Sequence, residues 1–179
     1  GDTKLKIGSY GFCLPNKGFA ELIKAIPFLK KSNLNFHINI FSSIYNKDYD
    51  YYYNELINLI KYYSVEEDVT INKDYLPADE VHTFLSQQDM IVYPYQSSNE
   101  SSSASVRDGL ATLKPVLVTP IPIFDDVHNF VDYLPGLSPN EIASGIIELS
   151  QKIITNPEEI NKVQISRSYL INSRSFSKL

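Results

Sequence analysis

Hydrophobic and polar positions along the chain follow two different periods, which alternate. Short segments that are apolar throughout, or at every second residue, are typical of buried strands. Five such segments occur, at Leu5–Tyr10, Phe36–Phe41, Val69–Asn72, Met90–Tyr93 and 116–119. Between them, apolar residues spaced three and four positions apart predict amphipathic helices. Strands that alternate with helices are typical of βαβ units, so the pattern predicts an α/β fold.

The helical segments carry their own boundary signals. Apolar faces mark helices through Leu22, Ala25, Ile26 and Leu29, through Tyr52, Leu56, Leu59 and Tyr63, and through Ile142, Ile146, Leu149 and Ile153. Further helices are predicted over 77–86, over 102–113 and after Pro157. Pro27 should kink or shorten the first helix, whereas Pro77 should be tolerated in a first turn. Lys114 and Pro115 should stop the helix over 102–113.

These elements together predict one Rossmann-like domain, a parallel sheet of about six strands with helices on both faces. In such sheets, ligands bind outside the carboxyl ends of the strands. The domain should cover residues 1–172, and the polar segment 173–179 should fray.

Composition narrows the classes of function. The chain has 179 residues, enough to bury a core, and its 16 basic against 21 acidic residues give a net charge of −5. This balance argues against a nucleic-acid surface and against a basic face that docks on membranes. No apolar run is long enough for a membrane span, and no signal peptide is expected at the start. The single cysteine, Cys13, excludes an internal disulfide and fits a cytoplasmic protein.

The first segment with candidate chemistry is the glycine-containing loop from Gly8 to Gly18, between the first strand and the first helix. Lys17 stands at the helix start, where it can reach an anion that the helix dipole already favours. Neither the GxGxxG fingerprint nor a Walker loop is present. The other interpretation is an ordinary turn with one solvated lysine.

The second segment, residues 94–113, follows the fourth strand. Ser102 or Ser103 can cap the helix, and free amides at a helix start accept phosphate. Glu100 and Asp108 flank that start, and ionised carboxylates are strong acceptors for vicinal hydroxyls. The other interpretation is a capped helix with solvated charges, among them Arg107 and Asp108.

The order of these motifs resembles the carboxyl-terminal half of retaining GT-B glycosyltransferases of the large family numbered four. The matching positions are Gly11 with Lys17-Gly18, Leu22-Ile23-Lys24-Ala25, Asp89 with Val92 and Pro94, Glu100 with Asp108, Lys114-Pro115-Val116, and Thr119 with Pro122. The resemblance spans roughly residues 4–149. It implies a nucleoside-diphosphate sugar as donor, with no metal and no other cofactor.

The resemblance also implies roles for individual residues. Lys17, in the loop that begins with Gly11, would contact the donor diphosphate. Glu100 would position the sugar hydroxyls, as the candidate catalytic residue, and Asp108 would bind the nucleotide ribose. The remaining implied contacts are backbone amides of Ser101, Ser102 and Ser103 on the sugar or phosphate, and Tyr75 and Leu76 on the base.

Three positions depart from the family pattern. The arginine that often precedes the loop lysine is absent, so Arg107 is the alternative source of that charge. Asp108 replaces a glutamate and is one methylene shorter. The stretch from Ser101 to Ser105, four serines and one alanine, replaces a glycine-rich stretch. These departures leave donor binding expected and donor identity open. The alternative they leave is a domain that has lost catalytic competence.

A donor-binding half would need an amino-terminal domain to supply the acceptor site, and through that domain it could associate peripherally with a membrane. The chain by itself should then bind donor weakly and turn nothing over. Two alternatives are a non-catalytic doubly wound module that binds a partner, and the similar domain of a GT-B sugar-nucleotide epimerase. The spacing of Glu100 and Asp108 speaks against the epimerase.

The other polar residues point to no metal or nucleophile. His37 and His82 are expected to be structural, His128 is a weaker ligand candidate in a donor-side loop, and Cys13 has no histidine near it in sequence. Several tyrosines crowd the second helix: Tyr49, Tyr51, Tyr52, Tyr53, Tyr62 and Tyr63. They are expected to lie partly in the core and partly on a surface that a partner could use.

Overall fold

The structure is a computed structural model that describes residues 4–100 and 102–173. Six parallel strands form one sheet, in the order β3-β2-β1-β4-β5-β6. Their bounds are β1 Leu5–Tyr10, β2 Phe36–Phe41, β3 Val69–Asn72, β4 Met90–Tyr93, β5 Val116–Val118 and β6 Asp132–Tyr133. The α/β prediction is therefore confirmed, including the parallel sheet.

Six helices connect and cover the strands. They are α1 Phe19–Lys31, α2 Asp50–Tyr62, α3 Ala78–Ser86, α4 Ala104–Leu110, α5 Pro139–Thr155 and α6 Pro157–Ser173. Short 3-10 turns precede α1 at Pro15–Lys17 and α2 at Lys47–Tyr49, and a third follows β5 at Pro122–Val127. None of the helices in the described ranges combines the length and apolarity of a membrane span.

Both faces of the sheet are buried, as a parallel sheet requires. Alternate residues of β4 show this division: Met90 and Val92 pack in the cluster with α1, α2 and α5, whereas Ile91 and Tyr93 pack in the cluster with α3 and α4. All four side chains are fully buried. The uninterrupted apolar run of β4 thus reflects helices on two sides.

The first three helices differ in detail from their predicted bounds and faces. α1 continues through Pro27 to Lys31 rather than ending early, because its apolar face is anchored in the core on both sides of the proline. In α2, Ile60 is buried, whereas Tyr63 is the exposed residue after the last helical turn. Pro77 lies just before α3 and not inside it.

The helix predicted over 102–113 is shorter than expected. The Ser103 hydroxyl caps α4, so the helix begins at Ala104. It ends at Leu110, before Lys114 and Pro115, because the Thr112 hydroxyl donates to the Gly109 carbonyl at 2.6 Å and Leu113 turns into the left-handed region.

Strand β6 and the end of α6 also differ from what the sequence predicts. No apolar periodicity predicts β6, which has only two residues and pairs with β5. Ser173, placed by the sequence in a frayed tail, is the last residue of α6, and the rest of that predicted tail, 174–179, lies outside the described residues.

The strand order places the switch point of the sheet between β1 and β4. The chain leaves β1 toward β2 on one side and leaves β4 toward β5 on the other. The loops that follow these two strands are therefore the ones that can form a ligand crevice.

Candidate functional site

The loop after β1 and the loop after β4 are joined by hydrogen bonds. The Gln96 amide donates to the Asn16 carbonyl at 2.8 Å, and the Asn16 side-chain amide donates to the Ser97 carbonyl at 3.1 Å. Gln96 in turn donates to the carbonyl of Leu137 at 2.9 Å. The two segments identified from the sequence thus form one connected edge of the domain.

Gly18 permits the closest part of this contact. Its backbone is left-handed, with φ of 82°, and a Cβ placed on it would lie 1.7 Å from the Pro94 carbonyl oxygen. The partner atom belongs to a backbone and cannot rotate away, so no larger residue fits. This approach fixes the position of Lys17, the preceding residue, against the end of β4.

Lys17 is buried, with only 7% of its surface exposed. Its ammonium group lies over the ring of Tyr95, 4.3 Å from the centroid, which is a cation–π contact. Among the described residues, no carboxylate forms an ion pair with it. The sequence-based alternative of a solvated lysine is therefore wrong, because the loop folds this side chain inward.

Tyr95 connects the lysine to the start of α4. Its hydroxyl lies 3.0 Å from the Ser103 hydroxyl, which also accepts a hydrogen bond from the Val106 amide. The Ser103 side chain is thus occupied by capping, and only its backbone remains for a ligand. Of the amides in the first turn of α4, that of Val106 is used by this cap and that of Arg107 donates to the Ser103 carbonyl, which leaves those of Ala104 and Ser105 without a helical partner.

Arg107 on α4 is paired with an acidic residue of the 3-10 turn that follows β5. Its guanidinium pairs with Asp126 at 3.6 Å, and its buried Nε has no hydrogen-bond partner among the described residues. Glu100 is exposed, and its described hydrogen bond is a backbone one to the Ser98 hydroxyl. Ser102 is half-buried, and Ser101 lies outside the described residues.

A crevice opens at the carboxyl ends of β1, β2 and β3. Tyr75 and Leu76, predicted as base contacts, line it together with Gly11, Tyr10 and Ser105. Gly11 is held there by its amide, which donates to the Phe41 carbonyl at 3.1 Å. The structure thus brings three sequence-predicted residues into one crevice, beside the first turn of α4.

Asp108 contributes a carboxylate in an unfavourable environment. The surrounding protein desolvates it and raises its pKa, although part of the side chain reaches solvent. Burial, followed by the charge of Asp108, raises the pKa of Tyr10 at the crevice wall. Asp108 on α4 is therefore close enough to act electrostatically on Tyr10, although it does not itself line the crevice. Its negative charge is not neutralised by a salt bridge to any described residue.

Two of the remaining candidates, His37 and His128, make hydrogen bonds within the fold. His37 contacts the Thr70 hydroxyl at 2.7 Å, and His128 contacts the Asp125 carbonyl at 2.9 Å. His82 is exposed on α3. Cys13 is fully buried, which raises the pKa of its thiol, so it stays protonated at neutral pH. Within the described residues, no group of three His, Cys, Asp or Glu could hold a metal ion.

Sequence reasoning missed Tyr10, Asn16 and Tyr95. Tyr95 lies two residues after the end of β4. An aromatic residue at that position could have been recognised as a candidate for a cation–π contact with Lys17. Nothing in the local sequence pairs Asn16 with Ser97, because that contact depends on β1 and β4 being neighbours.

Comparison with known proteins shows which solved structures have a similar fold. No protein-family model matches the chain, and no curated protein sequence matches it. Among solved structures, a glycosyltransferase from Rickettsia africae has a TM-score of 0.77 at 17% identity, over 96% of this chain and 44% of that one. The carboxyl-terminal domain of a group 1 family glycosyl transferase from Francisella tularensis has a TM-score of 0.74 at 16% identity, over 96% and 86%.

A third similar structure is Anabaena HepE in complex with UDP and glucose, with a TM-score of 0.79 at 13% identity over 96% of this chain. The chain spans 44% of HepE. At these identities the likeness concerns the fold. The domain therefore has the architecture of one Rossmann-like half of GT-B glycosyltransferases.

Asp108→Asn should stabilise the protein at neutral pH. The pKa of Asp108 is raised in the folded state. As the pH rises from the unfolded-state pKa of about 4 through the higher folded-state pKa, ionisation of this carboxyl group therefore favours the unfolded chain. Its place in the last turn of α4, near the negative end of the helix dipole, acts in the same direction. Urea unfolding at pH 7.5 should show a higher midpoint for the variant, and at pH 3.5 the two midpoints should converge.

Glu66→Gln, an exposed neutralisation far from the crevice, is the matched control and should show no such pH-dependent gain. An equal difference between Asp108→Asn and the parent protein at both pH values would contradict the assignment.

Proposed function

We propose that this chain is the carboxyl-terminal, donor-binding domain of a retaining GT-B glycosyltransferase similar to family four. The parent enzyme would transfer a sugar from a nucleoside-diphosphate sugar to an acceptor hydroxyl. The observation that carries the proposal is Lys17, at the switch point of a Rossmann-like sheet, a buried ammonium group that pairs with no carboxylate of residues 4–100 and 102–173. The complex of HepE with UDP and glucose, on a similar fold, supports the same choice of ligand.

Lys17 would bind the diphosphate. Burying an ammonium group without an anionic partner costs free energy, which the Tyr95 ring offsets only in part. A bound diphosphate would remove that cost. As the bond to the sugar breaks, Lys17 would stabilise the negative charge that develops on the departing diphosphate. The amides at the start of α4, around Ser101, Ser102 and Ser103, would add donors to the same oxygens. This work requires neither a metal nor another cofactor.

Arg107 would provide the second positive charge in place of the missing loop arginine. In the ligand-free protein it is paired with Asp126, a contact of 3.6 Å at a partly exposed site, which is weak. Its unpartnered Nε leaves one donor direction unused. Exchange of Asp126 for a phosphate oxygen would therefore cost little.

The other assignments follow the crevice. Tyr75 and Leu76, beside Gly11, would contact the base. Asp108 would accept hydrogen bonds from the ribose, and its raised pKa means that hydroxyl donors would stabilise its charged form. Glu100, exposed before α4, would position the donor sugar. The domain would comprise residues 1–172, with a frayed end at 173–179.

Lys17→Ala should weaken nucleotide binding by about tenfold or more, because a charge-assisted hydrogen bond contributes about 1.5–3 kcal/mol. Calorimetry with UDP, GDP and ADP, alone and as their glucose conjugates, gives the affinities. Lys152→Ala, on the exposed face of α5, is the control and should leave binding unchanged. If no nucleotide binds at millimolar concentration, or if both variants bind like the parent protein, the diphosphate site is refuted.

Glu100→Gln and Asp108→Asn should separate the two halves of the donor. Loss of Asp108 should weaken UDP and UDP-sugar equally, because both carry the ribose, whereas loss of Glu100 should weaken only the sugar conjugate. Glu67→Gln, exposed in the turn before β3, is the control. A Glu100 variant that loses affinity for free UDP would argue against its place near the sugar.

The chain alone should release no UDP from UDP-sugars, even with acceptor present. The acceptor site and part of the catalytic groups would lie in an amino-terminal domain, and this chain spans only 44% of two of its structural neighbours. A UDP-release assay on the purified chain tests this, with a complete GT-B enzyme as positive control. Release that depends on Glu100 would show that the domain is catalytically sufficient.

A further inference from the structure

Four aromatic side chains form a continuous strip beside the crevice. Phe12 follows β1, Tyr45 follows β2, Tyr49 ends the 3-10 turn Lys47–Tyr49, and Tyr51 lies in the first turn of α2. Successive ring centroids are 5.3, 6.3 and 6.4 Å apart. We call these four residues the aromatic strip.

The aromatic strip is exposed to a degree that folding does not explain. Phe12 is 45% exposed, Tyr45 60% and Tyr51 56%. A single exposed ring is ordinary, but a contiguous set of large rings on a surface generally marks a binding site. The strip is continuous with the proposed donor site, because Phe12 also lines the crevice with Tyr10.

Backbone hydrogen bonds hold the strip in place before any ligand binds. The Cys13 amide donates to the Ser43 carbonyl at 2.9 Å, which ties the Phe12 loop to the Tyr45 loop. The Asp48 amide donates to the Asn46 side chain at 2.8 Å, and the Tyr49 amide to the Asn46 carbonyl at 3.0 Å. Such preorganisation lowers the entropy lost on binding, and tyrosine has few rotatable bonds to immobilise.

The chemistry of the strip favours an uncharged, hydroxylated ligand. The three phenol groups have no hydrogen-bond partner among the described residues, so each can donate and accept while its ring offers an apolar face. The charged residues interspersed with them, Lys47, Asp48 and Asp50, include one cation and two anions. That balance gives no attraction for an anionic membrane, which needs a cluster of basic residues.

We propose that the aromatic strip binds a neutral oligosaccharide, the distal part of the acceptor or product glycan, whose reacting end would lie at the acceptor site of the amino-terminal domain. A pyranose presents one apolar face of C–H groups and a rim of hydroxyls, which matches rings that carry free phenols. The first two ring contacts are edge to face, at 77° and 68°, so the rings present faces in different directions and a flexible chain would contact them one after another. The role as acceptor or product rests on the proposed function, whereas the binding of saccharide does not.

The test is calorimetry and saturation-transfer NMR with maltopentaose, cellopentaose and mannopentaose. The parent protein should bind at least one of them in the millimolar range. The double variant Tyr45→Ala and Tyr51→Ala should lose about tenfold in affinity, since each truncated ring removes a stacking contact. Tyr62→Ala and Tyr169→Ala, which truncate rings 79% and 71% exposed outside the strip, are the matched controls and should bind like the parent protein.

Circular dichroism and urea unfolding establish that the variants remain folded, and Phe12→Leu gives a second, milder probe of the same surface. The inference is overturned if no oligosaccharide binds, or if the control variants lose as much affinity as the strip variants. It is also overturned if the strip variants abolish self-association in sedimentation, or binding to phosphatidylcholine vesicles, while saccharide binding stays unchanged.

The same samples separate this inference from the proposed function. UDP binding that depends on Lys17, together with no saccharide binding, would refute the strip and leave the donor site intact. Saccharide binding that depends on the strip, together with no nucleotide binding, would refute the donor site. The strip would then be a carbohydrate-binding surface unconnected with a transferase.

Discussion

The close approach of the Gly18 backbone to the Pro94 carbonyl is the constraint on which the rest of the site depends. Two loops that lie about eighty residues apart in sequence meet there, and a side chain at position 18 would occupy the carbonyl oxygen. The contact exists because β1 and β4 are adjacent in the sheet, so their following loops leave from neighbouring points. Lys17, Asn16 and Gln96 take their positions from it.

This constraint explains how a positive charge comes to be buried. A lysine on a mobile loop would extend into water, where its ammonium group is best solvated. Here the 3-10 turn Pro15–Lys17 and the left-handed residue after it direct Lys17 toward the ring of Tyr95. The cation is thereby held near the first turn of α4, whose amides are likewise suited to anions. A ligand with concentrated negative charge completes this arrangement better than water does.

The crevice between β1 and β3 is built differently. Its walls are largely aromatic, its acidic lining residue is Asp74, and the cationic Arg107 on α4 is paired with Asp126. An apolar wall beside a carboxylate suits a flat ring attached to a hydroxylated sugar. The aromatic strip continues that wall outward through Phe12, toward the exposed phenols of Tyr45 and Tyr51. The edge of the sheet thus changes from cationic, through apolar and acidic, to neutral and hydroxylated.

The sequence by itself determined the class of fold and the positions of most helices and strands. It could do so because the spacing of apolar residues reflects whether one or two faces of an element are buried. It also located the loops of Lys17 and Glu100, since glycine, lysine and acidic residues between apolar segments are visible without coordinates. It missed the early end of α4, where the Thr112 hydroxyl competes with the helix, and it missed the two-residue β6, which is too short to show a period.

Only the tertiary structure decided which of these residues meet. Strand order decides that Lys17 is buried over Tyr95 and that the charge of Asp108 acts on Tyr10. It also decides that rings from the β1–α1 and β2–α2 connections form one strip. Local periodicity reports how a residue is buried, but it carries no information about which distant residue shares the space. That information arises when β1 is placed between β2 and β4, which brings three loops to one edge of the sheet.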